Sequence, residues 1–147
     1  MHSHDPNPAP PSASPDFTLT LPNGSRQIIT PDLLRRLPQT TITDCFIVST
    51  GHGTSGPFAF TGLALVDFVR HFWIGEWQQA EVISTDGFGT RLFVEEVNEA
   101  ADRPILLACA IDSQPLTRAA GLVRLIVPSE TDDALKQVKW VGEIRIL

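Results

Sequence analysis

Residues 41–62, TITDCFIVSTGHGTSGPFAFTG, run from a strand-like segment carrying Cys45, through a loop with Gly51, His52, Gly53 and Gly56, into a second apolar run. Residues 40–49 are rich in β-branched side chains, the composition of a strand. On a period of two, Ile42, Asp44, Phe46 and Val48 share one face and Thr43, Cys45, Ile47 and Ser49 the other. Cys45 then looks out from the less oily side, whereas a packing cysteine sits among apolar neighbours. The glycines permit positive φ and close approach of a ligand to main-chain N–H groups. They equally suit a plain hairpin loop, and spacing alone leaves both readings open.

Around this stretch, 147 residues predict one domain with its own core. The hydrophobic fraction of 42% and charged fraction of 19% are those of an ordinary globular chain. A net charge of -6 argues against a general nucleic-acid binder, which would carry an excess of Lys and Arg, and leaves room for a small basic pocket. No apolar run is long enough to span a membrane, and the N-terminus has neither the basic start nor the apolar core of a secretory signal. A cytoplasmic protein is expected. Cys45 and Cys109 lack CxxC spacing, so free thiols are expected instead of a disulfide framework or zinc site.

Residues 1–16 hold five prolines and three serines and read as a disordered tail, leaving 17–147 as the domain. Residues 17–21 and 26–29 flank Pro22-Asn23-Gly24 as a hairpin. Thr30-Pro31-Asp32 is a helix start, a hydroxyl cap followed by proline and an acid, and Pro38 ends that helix within two turns. Residues 58–61 read as a short strand. Leu65, Phe68, Val69 and Phe72 fall at helical spacing, with Asp67 and Arg70 outward. Strands are expected at 80–84 and 90–94 around a tight turn, and a brief acidic helix at 95–101. Residues 105–111 form a nearly continuous apolar strand carrying Cys109, followed by an Asp112-Ser113 turn. Residues 122–127 are another buried strand, whose Arg124 needs a carboxylate such as Asp86 or Glu143, or an anionic ligand. A strand at 141–147 closes the chain. Eight or so strands with two or three short helices, irregularly spaced, predict an α+β fold.

The order of the pieces carries more than any one of them. A strand cysteine is followed by TGLAL before a helix, then DGFGTRL, then LLACAIDSQPLTRAAGLVRLIVPS, then QVKWVGEIRI. From about residue 17 onward this resembles the molybdopterin-binding domain of the sulfite oxidase family of molybdenum enzymes. The resemblance implies the family's α+β fold, a molybdopterin cofactor, and oxidoreductase activity on a small-molecule substrate with an electron-transfer protein as partner. It makes Cys45 the metal ligand, a soft sulfur beside the pterin dithiolene. Arg124 and Lys139, with His52, become contacts to the pterin and its phosphate, where charge-assisted bonds are strong.

The chain also departs from the family pattern. Cys109 stands where sulfite oxidases place a tyrosine beside the metal, which makes Cys109 the candidate catalytic neighbour of the metal. Phe46, Ile47 and Val48 stand where those enzymes carry substrate-binding arginines, so sulfite is a poor substrate. A minimal version of the cofactor domain is expected, without the haem and dimerisation domains of the larger relatives. Two functional readings follow: a molybdenum oxidoreductase of unknown substrate, and a non-catalytic module that keeps the fold without the metal and binds a pterin, a small anion or a protein. A third, a Cys45 nucleophile activated by His52, lacks an orienting residue.

Overall fold

The computed structural model describes residues 14–49, 53–99, 103–117, 121–128 and 137–147. Among these residues are ten strands, arranged in two five-stranded sheets, and three short helices. The first sheet contains β1 (Phe17–Thr20), β2 (Arg26–Ile29), β5 (Gln79–Ser84), β6 (Gly89–Phe93) and β10 (Val141–Ile146), in the order β2-β1-β10-β5-β6. The second contains β3 (Thr40–Ser49), β4 (Gly53–Ala64), β7 (Leu106–Ile111), β8 (Gln114–Pro115) and β9 (Arg124–Ile126). Its order is β3-β4-β7-β8, with β9 also on β7. β1 and β10 pair in parallel, so the first described strand lies beside the last.

Local chemistry accounts for several elements. The Thr30 hydroxyl accepts a hydrogen bond from the Leu33 amide at 3.2 Å and caps α1 (Pro31–Arg36), with Pro31 in its first turn. At its far end the Gln39 side-chain amide donates to the carbonyls of Leu34 and Leu37. α2 (Leu65–Phe72) buries Leu65, Phe68 and Val69 and leaves Asp67 and Arg70 exposed, as its periodicity requires. Asp112 and Ser113 both take positive φ, as a two-residue hairpin between β7 and β8 demands. The acidic helix α3 spans Val94–Glu99.

Two differences from the sequence reading bear on function. The expected short strand at 58–61 is the middle of β4, a strand of 12 residues that pairs with both β3 and β7. The strand expected at 122–127 is reduced to Arg124–Ile126, because Leu122 takes a positive φ of 60° and breaks the ladder.

The apolar residues form two cores. The larger takes Phe17, Leu19 and Ile29, the buried faces of α1 and α2, and residues of β5, β6 and β10. The smaller comprises Ile42, Cys45, Phe60, Leu106, Ala108, Leu116 and Ile126. β7 feeds both: Leu107 and Cys109 join the larger core, Leu106 and Ala108 the smaller. That double burial explains its continuous apolar sequence. No helix among the described residues is long and apolar enough to cross a membrane.

Candidate functional site

Cys45 sits in the β3–β4 hairpin between two irregularities of register. Ile42 faces Phe60 and Cys45 faces Phe58, three steps along β3 against two along β4. The additional residue falls where Asp44 takes a φ of 55°, a conformation that Asp adopts more readily than most residues. Such a bulge reverses the inside-outside alternation. Cys45 therefore shares the buried side with Ile42, and Phe46 is 49% exposed. This corrects the strict alternation expected from sequence, in which Cys45 faced away from Ile42.

The second irregularity compensates for the first. Ile47 pairs with Ser55, so β4 spends three residues where β3 spends two. Gly56 occupies this step at a φ of +127°, and a Cβ there would lie 2.6 Å from the Cys45 carbonyl oxygen. Only glycine meets both demands.

The Cys45 thiol is enclosed. The residue is 4% exposed and packs in the smaller core. Its Sγ lies 3.5 Å from the Ile42 carbonyl oxygen and 3.7 Å from that of Thr43. Arg103, a residue that the sequence reading did not single out, closes the remaining side. Its Nη1 donates to the Thr43 carbonyl at 2.8 Å, and its Nη2 reaches the Asp44 carbonyl at 3.3 Å and Cys45 Sγ at 3.7 Å. Burial raises the thiol pKa, against the guanidinium of Arg103, which lowers it through charge and hydrogen bonding.

The basic residues assemble elsewhere on the same face. Arg124 pairs in register with Ala108, and its Cζ lies 5.6 Å from the centroid of the Phe60 ring; Ala108 and Phe60 both belong to the smaller core. Leu125 and Val138 exchange backbone hydrogen bonds, and Trp140 donates to the Gly121 carbonyl at 2.9 Å. These contacts bring Lys139 beside Arg124. Gly121 has a φ of +114°, and a Cβ on it would meet Arg124 Cγ at 2.8 Å and Lys139 Cβ at 3.1 Å. Arg124 is 6% exposed, and burial lowers its pKa to about 10. Lys139 is exposed, and its pKa is lowered by partial burial and by Arg124. Of the carboxylates expected as internal partners for Arg124, Glu143 bonds to Arg145 and Thr20, while Asp86 accepts from the Phe88 amide.

Arg124 and Lys139 thus come together, with Phe60 connecting their corner to the core of Cys45. Cys109 does not join them. The alternation of β7 places it in the larger core, away from the core that holds Cys45, contrary to the expected position beside a Cys45-bound metal. It borders a cavity of about 440 Å³ with Thr30, Asp32, Arg35, Leu116 and Leu122. Burial pushes its thiol up to about 11. His52, the remaining predicted contact, lies outside the described residues.

The two halves of a molybdopterin site fare differently against this geometry. The phosphate end fits: a buried guanidinium and a partly buried ammonium side by side are suited to a dianion. The metal end does not fit at Cys45, because a metal that also carries dithiolene sulfurs needs an open face at Sγ. Main-chain carbonyls, a guanidinium and an apolar core surround this sulfur.

A family profile described as the oxidoreductase molybdopterin binding domain matches residues 12–147. Among solved structures, the sulfane dehydrogenase SoxCD from Paracoccus pantotrophus is similar, with a TM-score of 0.72 at 19% identity over 89% of this chain. The chain spans 37% of that protein's length, and the likeness shows a shared α+β fold. Comparison with curated protein sequences finds no match. With nearly its whole length matched by the profile, the chain belongs to the oxidoreductase molybdopterin binding domain family.

Proposed function

We propose that this domain binds a pterin cofactor by its phosphate through Arg124 and Lys139, as a binding module without a metal on Cys45. The observation that carries this reading is the packing of Arg124 and Lys139 around Gly121. Arg124 lowers the pKa of Lys139, so an anion near both is favoured by each of them. Gly121 permits that packing, because a Cβ at this position would collide with the stems of both side chains.

Family membership favours a second reading, a molybdenum-dependent oxidoreductase acting on a small molecule with an electron-transfer partner. That reading needs Cys45 as the ligand and Cys109 near the metal, and the arrangement of the two cores speaks against both.

Calorimetric titration of the full chain with a pterin phosphate monoester, and with the same pterin lacking phosphate, tests the first reading. The phosphorylated form is expected to bind at least about tenfold more tightly, since a hydrogen bond to a charged group contributes about 1.5–3 kcal/mol. Equal affinity for the two forms would overturn the reading.

A further inference from the structure

We infer that Arg103 locks Cys45 out of metal coordination: the guanidinium that grips the Thr43 and Asp44 carbonyls and covers Sγ fixes the bulge that turns the thiol into the smaller core. A cofactor on this face meets the basic pair, with no thiolate presented to it. The inference goes beyond phosphate binding and stands or fails separately from it.

Three observations converge. Without the bulge at Asp44 the β3 alternation would set Cys45 on the side opposite Ile42; with it the two share one core. Arg103 is held by two carbonyls of the bulge itself, Thr43 and Asp44, so its fork fits the distorted backbone and not a regular strand. Gly56 backs the opposite side of Cys45, where its missing Cβ leaves room for the Cys45 carbonyl. The thiol is thus covered by a guanidinium from the segment preceding β7 while a glycine of β4 backs the carbonyl of the same residue, and reaching the sulfur requires local opening.

Thiol labelling tests the lock. In a Cys109→Ala background Cys45 is the sole thiol, and maleimide is expected to modify it at least about a hundredfold more slowly in the native protein than in denaturant. Arg103→Gln, which removes the charged fork, is expected to speed native labelling by about tenfold or more at unchanged secondary structure, because the bonds it removes hold the closed state. Arg103→Lys keeps the charge without the two-pronged geometry, and is expected to label nearly as fast as Arg103→Gln. Rapid labelling of the protein with Arg103 intact, or no acceleration in either variant, would overturn the inference.

Metal content supplies an independent readout. Full-length protein and Cys45→Ala, made in a host competent for molybdenum cofactor synthesis, are expected to carry the same molybdenum per chain, zero included. Molybdenum present in the parent and lost in Cys45→Ala, with the pterin retained, would sink the idea while leaving phosphate binding intact.

Discussion

The two corners of the smaller-core face are built by the same device to opposite ends. Around Cys45, a positive φ at Asp44 and another at Gly56 rotate a thiol inward and seal it. Around Arg124, positive φ at Gly121, Leu122 and Trp140 bring the two cations together, with Lys139 left open to solvent. Backbone irregularity in both cases decides which chemistry reaches the surface. In one corner it withdraws the residue whose identity first suggested a metal site, and in the other it gathers two cations that lie apart in sequence.

The largest effect that would break the contrast is expected from Arg124→Met. Affinity for the phosphorylated pterin should fall by about tenfold to a hundredfold, since a charge-assisted bond is lost. The fold should be kept, because an apolar side chain of similar volume fills the same place beside Phe60. Calorimetry and thermal unfolding on the same sample separate the two. A loss of stability with unchanged affinity would make Arg124 a structural residue and the basic corner no different from the other.

Gly56→Ala sharpens the comparison from the thiol side. The left-handed conformation and the 2.6 Å approach to the Cys45 carbonyl predict a loss of about 1–3 kcal/mol in denaturant unfolding. Phosphate affinity below the unfolding range should be unchanged. If it falls as well, the two corners are coupled through Phe60.

Lys139→Ala should have the smallest effect, a loss of affinity of about tenfold or less, because its partial exposure lets water compete. pH provides the matching test. The Lys139 pKa is lowered in the folded protein, so its charged form costs stability in the free domain below that pKa, and the cost disappears as pH rises towards the usual lysine value. A bound phosphate favours the charged form, so binding should weaken as pH rises through the lowered pKa. Titration from neutral to alkaline pH should show this decline in the parent and a flatter profile in Lys139→Ala.

Much of the fold was legible because the signals were local. Thr30-Pro31-Asp32 specifies a helix start whatever surrounds it, Asp112-Ser113 specifies a turn, and the spacing of Leu65, Phe68 and Val69 specifies a buried helical face. The family order of segments also placed Arg124 and Lys139 among the candidates, and they do meet. The orientation of Cys45 was not legible. A one-residue bulge changes the face of everything after it, and an aspartate that tolerates positive φ gives only a weak hint of one. Arg103 was hidden for another reason. Its contacts lie about 60 residues away, and no pattern around position 103 encodes a reach of that length.

The parallel pairing of β1 with β10 has a consequence for how the site comes into being. β10 is the middle strand of the first sheet, and it follows Lys139 by a single residue in the chain. On the ribosome, β1 and β2 must wait for the strand that joins them to β5, a closure across more than a hundred residues that makes folding slow. Lys139 is made just ahead of that strand, so the cation pair forms only when nearly the whole chain has been synthesised. An anion bound by that pair would then add its binding energy to the stability of the folded domain.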